Sequence, residues 1–296
     1  MVYNLIYINL SDLKTINLKF DLTKTEFKIA LDLDFPNQKN LYKYLDNNII
    51  VDSPMIQTIL ECVEENTICI DVGSHIGYLS LIARQKIGSK GYVYCFEPNP
   101  QSYNALVRNV VLNNYSNIFC FNCALAENES VSSLSIIEYD EGLTTLGNVE
   151  NIETLENKHM YENKSKIDVF VSKLDSIIKN IEHNISLLKI DVESFEEKVI
   201  LGAKELINQK LPRNIIFEIN KAVPNHNPNQ LQNILSILEP LGYNAYIIHP
   251  WPSTDEAKNY FDGHNYLPLG NFSNNQNIIF ANILMRKENV NECHRM

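Results

Sequence analysis

An α/β fold is what this sequence predicts: a mostly parallel sheet with helices on both faces. Three observations predict it. Apolar strand-like runs alternate with helix-periodic runs through the middle of the chain, the pattern of strand–helix–strand units. Those strands are apolar along most of their length, as strands covered on both sides are. The 296 residues, 45% of them hydrophobic, suffice for one large core, or one core with an appended piece.

Residues 1–50 differ in texture from the rest. "INLKFDL" and "EFKIALDLD" alternate apolar and polar residues, as half-buried antiparallel strands do. They predict a small N-terminal β element ending near "DFPNQKN". Such a piece serves as a lid over a site or pairs two copies of the chain into a homodimer. The main domain is expected over 51–296. It opens with "SPMIQTILECVEEN", a Ser-Pro helix start, and leads into a buried strand, "TICIDVG". "GYVYCFEPNP" is a strand ending in an acid and a turn, "PQSYNALVRNVVLNN" a helix and "NIFCFNCAL" a strand. "ISLLKIDVES" and "RNIIFEIN" are strands, followed by helices "FEEKVILGAKELINQ" and "NQLQNILSILEPLG". "YNAYIIHP" and "NQNIIFANILMR" close the sheet.

Two insertions break this rhythm. Residues 124–168 are polar, acidic and rich in asparagine, and too long for an ordinary connection. Within them "SSLSIIEY" and "DVFVSKLD" predict an inserted hairpin. Residues 249–275 carry Trp251, Tyr260, Phe261 and Tyr266, which stack on a ring-bearing ligand or cover the core.

The charge balance, 25 basic against 36 acidic residues, argues against nucleic acid and anionic membranes as partners. No run reaches the ~18 apolar residues of a membrane span. The opening "MVYNLIYINLSDLK" has neither a basic leader nor a small-residue cleavage site, so no signal peptide is expected. Cys120 and Cys123 form a lone C-x-x-C. Without a second pair it reads as core packing rather than zinc, and a reduced, cytoplasmic setting is expected.

In parallel sheets of this kind, ligands sit beyond the carboxyl ends of the strands. Gly73 and Gly77 let the backbone turn tightly after the first strand, and the helix starting near His75 offers unpaired N–H groups. Asp71 stands at the strand end, as a ligand acceptor or as a helix cap. Glu97 ends the next strand, where a carboxylate accepts from both hydroxyls of a ribose; the plainer alternative is a solvated turn acid. Two glycines replace the three of the dinucleotide fingerprint. The loop therefore suits a nucleoside better than a pyrophosphate.

Four blocks, "IDVGSHIGYLSL", "GYVYCFEPNP", "LLKIDVESFEEKVILGA" and "IIFEIN", resemble those of FkbM-type methyltransferases over about residues 50–248. The resemblance implies a class I methyltransferase sandwich: a Rossmann-like, mostly parallel seven-stranded sheet. It implies S-adenosylmethionine as cofactor, with Asp71, Gly73 and Gly77 around its amino-acid part and Glu97 on its ribose. The turn from Asn122 through Ala124 to Leu125 would lie beside adenine. His75, Asn99 and Asp191 complete the expected cofactor set. The implied reaction is O-methylation of a sugar or natural-product hydroxyl, with a small-molecule, glycan or peptide-derived acceptor. Asp191 and Glu193 face the transferred methyl as candidate bases, with His249 a third. Being two apart, Asp191 and Glu193 would share one face of a continuous strand.

Alternatives remain. Asp191, Glu218 and Asn220 form an oxygen set suited to Mg2+. Methylation of a carboxylate in a peptide or small acid needs no base, since that nucleophile is already ionised. An NAD-dependent dehydrogenase on the same fold has the missing third glycine against it. One position departs from the family pattern: Ser194 follows "KIDVE" where a glycine is usual.

Overall fold

The computed structural model describes residues 13–20, 25–137, 140–146, 164–179, 181–210, 212–221, 223, 226–250, 252–272 and 280–287. In chain order the elements are β1 (Leu13–Phe20), β2 (Thr25–Asp32), α1 (Pro36–Asp46), α2 (Ser53–Cys62), β3 (Ile68–Val72), α3 (Tyr78–Ile87), β4 (Tyr92–Phe96), α4 (Pro100–Leu112), β5 (Ile118–Phe121) and β6 (Ala124–Leu125). Then come β7 (Ser130–Ile137), β8 (Asp140–Leu146), β9 (Lys164–Ser172), α5 (Leu174–Ile177), β10 (Ile185–Ile190), α6 (Glu196–Gly202) and α7 (Lys204–Lys210). The chain closes with β11 (Asn214–Asn220), α8 (Gln230–Leu238), β12 (Asn244–Ile248), α9 (Asp255–Phe261), β13 (Tyr266–Pro268) and β14 (Phe280–Arg286).

The main sheet runs β13-β12-β14-β11-β10-β3-β4-β5. Its five strands from β11 to β5 are parallel, and β14 enters antiparallel between β11 and β12. These are the seven strands expected. The eighth, β13, is a three-residue edge strand supplied by the 249–275 insertion.

Alternation along the strands divides the core between two faces. Ile68, Ile70 and Val72 of β3 and Ile190 of β10 pack with Val199, Ile200 and Ile234 from α6 and α8. On the other face Cys69, Val93, Cys95 and Leu187 meet Ile59, Leu81 and Leu106 from α2, α3 and α4. The C-x-x-C residues Cys120 and Cys123 are half-buried free thiols.

The two strands expected of an inserted hairpin do pair antiparallel, β7 with β9, but they are not consecutive: β8 lies between them in the chain and pairs with the other edge of β7. With β6 and β8 they form a second, four-stranded sheet over its own small core of Leu134, Ile136, Leu146, Val169 and Val171. The N-terminal strands also pair, eight residues against eight. They do not end the N-terminal element, however. "PNQKNLYKYLD" is helix α1, started by Pro36, whose fixed φ suits the first helical turn. The element is docked on the domain by α4. The Asn109 side chain accepts from Ala30 N at 2.8 Å and donates to Ile76 O at 3.0 Å. The Asn113 side chain closes a similar pair with Lys28 N and O.

One helix expected as continuous is two. The break between α6 and α7 falls at Gly202–Ala203. A Cβ on Gly202 would stand 2.1 Å from Ala126 O, so this glycine lets the helix approach the β6 end.

Candidate active site

Strand order reverses between β3 and β10, since the chain continues from β3 to β4 on one side and from β10 to β11 on the other. This is the switch point at which α/β sheets open a crevice. The carboxyl ends of β3, β4, β10 and β11 meet there. Gly73 makes the closeness of β3 and β10 possible: at φ +78° its absent Cβ would lie 1.8 Å from Asp191 O. Asp191 N donates to Val72 O at 3.0 Å, sealing the two ends together.

A cavity of about 300 Å³ opens on this seam. In the order of the strands that carry them, from β5 to β11, its lining runs from Cys123, Ala124 and Leu125 through Phe96, Glu97 and Gly73 to Asp191, Glu193 and Glu218. The second sheet contributes Leu134, Thr144 and Leu146, and α1 contributes Asn37. Four carboxylates line this cavity and, among the described residues, no lysine or arginine does. A second cavity of about 330 Å³ lies across the Gly73–His75 loop, between α1 and the residues Asp71, Tyr78 and Lys189. Asn37, Gly73, His75 and Asp191 border both.

Glu97 is 5% exposed. Its Oε2 accepts from His75 N and its Oε1 from Asn99 N, each at 2.8 Å. Burial outweighs these two donors and pushes its carboxyl up to about 7. Each oxygen keeps a lone pair for a further donor. Asn122, exposed, holds this turn from outside by donating to Glu97 O at 2.8 Å and Pro98 O at 3.1 Å. Asn99 caps α4, its side chain accepting from Gln101 N. Neither asparagine lines the cavity, so their part is to fix Glu97.

Asp71 is turned to the α3 side of the sheet and lines only the second cavity. Its carboxylate accepts from Ser80 Oγ and pairs with the buried Lys189 Nζ at 3.2 Å. Lys189 also pairs with Asp191 at 3.4 Å. Burial opposes its charge, and the two aspartates outweigh burial and raise it. Gly77 begins α3 at φ +86° and lines neither cavity; a Cβ there would meet Leu106 Cδ1 at 2.6 Å. It serves helix packing. The His75 imidazole is held down to about 4 by burial, and its Nε2 is buried without a partner.

Asp191 and Glu193 come together with Glu218, though not by strand alternation. β10 ends at Ile190, and Glu193 and Ser194 both have positive φ, +52° and +80°. A tight turn, not an extended strand, carries Glu193 back. Ser194 thus occupies the left-handed region that favours glycine, at the position where the family pattern has one. The third member of the acid group is Glu193 rather than Asn220, whose amide donates to Glu193 Oε2 at 3.4 Å. Burial, then Asp191, Glu193 and Glu196, hold the Glu218 carboxyl well above the usual range.

His249 is not brought to either cavity. Its Nδ1 lies 2.9 Å from Pro250 O and its Nε2 3.2 Å from Ser253 Oγ, with the ring edge-on to Phe261. Tyr260, Phe261 and Tyr266 likewise line neither cavity; Phe261 joins the core, and Trp251 lies outside the described residues. Sequence reasoning missed Lys189 and Glu196. Lys189 had a signal: a lone charge inside an apolar strand must find a partner. Glu196 is buried and accepts from Val192 N at 3.0 Å and from Gln230 Nε2, with its carboxyl pushed by burial to about 7.

The methyltransferase FkbM domain family profile matches residues 71–245. Methyltransferase sdnD of Sordaria araneosa is 27% identical over 173 residues, covering 52% of this chain and 66% of that protein. Methyltransferase 1 of Beauveria bassiana (strain ARSEF 2860) is 23% identical over 147 residues, covering 47% and 59%. The matched stretches thus span less than two thirds of either relative's length. A solved SAM-dependent O-methyltransferase from Thermotoga maritima overlays at a TM-score of 0.41 and 12% identity, covering 95% of this chain and 94% of that one.

Proposed function

Because the chain belongs to the FkbM methyltransferase domain family, we propose that it transfers a methyl group from S-adenosylmethionine to a hydroxyl oxygen of a neutral sugar or natural-product acceptor. The observation that carries this reading is the cavity lined by four carboxylates and, among the described residues, by no lysine or arginine. Such a surface favours a cation and repels a pyrophosphate or a carboxylate. It therefore speaks against NAD and against methylation of an acid.

The residues fit the cofactor part by part. Phe96, Ala124 and Leu125 offer an apolar slot for adenine. Glu97, fixed by two backbone N–H groups, keeps lone pairs for two ribose hydroxyls. The acids on the β10 and β11 side suit positive charge. When bound, S-adenosylmethionine supplies a methyl group already activated by a sulfonium.

The chain's own contribution is then alignment and proton removal. Alignment alone contributes about 7–11 kcal/mol in well-oriented systems. Asp191 and Glu193 stand where the acceptor hydroxyl is expected, and one of them takes its proton. Lys189 fixes one Asp191 oxygen, and Asn220 donates to Glu193 Oε2, so both carboxylates are held in place. α1 and the second sheet wall the cavity through Asn37, Leu134 and Leu146, the role of a lid. A labelled-methyl transfer screen tests the reading. Label is expected in neutral polyols and glycosides; labelling of carboxylic acids alone would reverse it.

A further inference from the structure

Three carboxylates converge on the β10 and β11 side of the first cavity. Asp191, Glu193 and Glu218 each offer one oxygen, and the three oxygens lie within 4.8 Å of one another. This differs from an ordinary acidic surface in one respect. Glu218 is only 7% exposed, and its Oε2 is buried with no hydrogen-bond partner. A buried polar atom without a partner is costly, and this one belongs to a carboxylate grouped with the other two acids. The neighbouring cation does not account for it, because Lys189 is held by Asp71 at 3.2 Å, Asp191 at 3.4 Å and Gly73 O at 3.5 Å.

We infer that Asp191, Glu193 and Glu218 bind a hard divalent cation of the Mg2+ or Mn2+ type. All three ligand atoms are carboxylate oxygens, the donors such ions prefer. Metal–oxygen distances of about 2.1 Å put coordinated oxygens roughly 3–4 Å apart, so the trio closes on an ion by small side-chain rotations. About three coordination positions then remain for water and an acceptor oxygen. The purpose of the site rests on the hydroxyl-methylation reading: a hydroxyl on the cation is more acidic, and its proton passes to water or to a carboxylate oxygen left free by the ion. Asn220, donating to Glu193, orients one ligand.

The test is titration of the full chain with MnCl2, followed by calorimetry and by loss of the free Mn2+ resonance, with S-adenosylhomocysteine binding measured on the same sample. One saturable Mn2+ per chain is expected, displaced by Mg2+. Glu218→Gln and Glu193→Gln should each weaken it at least about 10-fold, while Glu129→Gln, an exposed acid elsewhere, leaves it unchanged. If Glu218→Gln does not fold, as circular dichroism would reveal, Glu193→Gln decides. No saturable site, or unchanged affinity in the folded variants, overturns the inference. Adenosylhomocysteine binding without Mn2+ binding overturns the cation site alone. Mn2+ binding without adenosylhomocysteine binding sustains the site and removes the cofactor reading instead.

Discussion

Raising the pH from 6 to 8 should tighten cofactor binding about 10-fold, and Glu97 is the reason. Its carboxyl is pushed up to about 7, because burial costs the charged form more than the His75 and Asn99 N–H groups return. Ribose hydroxyls would donate to the ionised carboxylate. If only that form binds well, the apparent affinity scales with the ionised fraction. Between pH 6 and 8 that fraction rises about 10-fold, or ~1.4 kcal/mol. Near pH 7 roughly half a proton leaves per cofactor bound. The same shift acts on folding with a defined sign. A carboxyl raised in the folded state contributes stability below about 4.5 and loses it as pH climbs through about 7. The ligand-free chain should therefore be weaker at pH 8 than at pH 5, and bound cofactor should compensate most at pH 8. Calorimetry with S-adenosylhomocysteine, in buffers of differing ionisation enthalpy, measures both affinity and proton release. Glu97→Gln should flatten the pH profile. An affinity independent of pH in the unmodified chain, with no proton released, would refute the reasoning.

Other perturbations probe the frame around that carboxylate. Gly73→Ala should destabilise by on the order of 3–4 kcal/mol, since its Cβ would collide with the Asp191 backbone carbonyl. Gly77→Ala should cost less, because the obstacle is the flexible end of Leu106; urea unfolding compares the two, and equal costs would contradict the geometry. Ser194→Gly should stabilise by about 0.5–1 kcal/mol, relieving a φ of +80° and removing a buried Oγ without a partner. A loss of stability there would show the serine to be needed. Asp191→Asn should lower methyl transfer about 10²–10⁴-fold with adenosylhomocysteine affinity within a few-fold, and retained turnover would take the proton-accepting role from Asp191.

The strand–helix alternation and the acids at the strand ends were legible because they obey local rules. Apolar runs of strand length between helical periods name a parallel sheet, and Glu97 and Glu218 each stand at a strand end where ligands gather. What stayed hidden depends on tertiary context. "PNQKNLYKYLD" has few apolar residues, and its Leu41, Tyr42 and Leu45 find their partners in Ile29 and Leu31 of β2 and Ala105 of α4, the last far away in sequence. The break at Gly202 answers the approach of Ala126, a contact between residues far apart in sequence. Glu193 reaches Asp191 through two residues of positive φ, which the string "KIDVES" does not disclose, although the missing family glycine marked the place. His249 sits at a strand end like the acids, yet β12 lies beyond β14 and β11, away from the switch point. A strand-end position is informative only where the strand order reverses.

Equilibrium binding of S-adenosylhomocysteine and of NAD to the same preparation tests the central claim most directly. One adenosylhomocysteine per chain is predicted, with a raised melting temperature by linkage, weakened by Glu97→Gln and unmatched by NAD. Binding and stabilisation by NAD, with none by adenosylhomocysteine, would contradict the account.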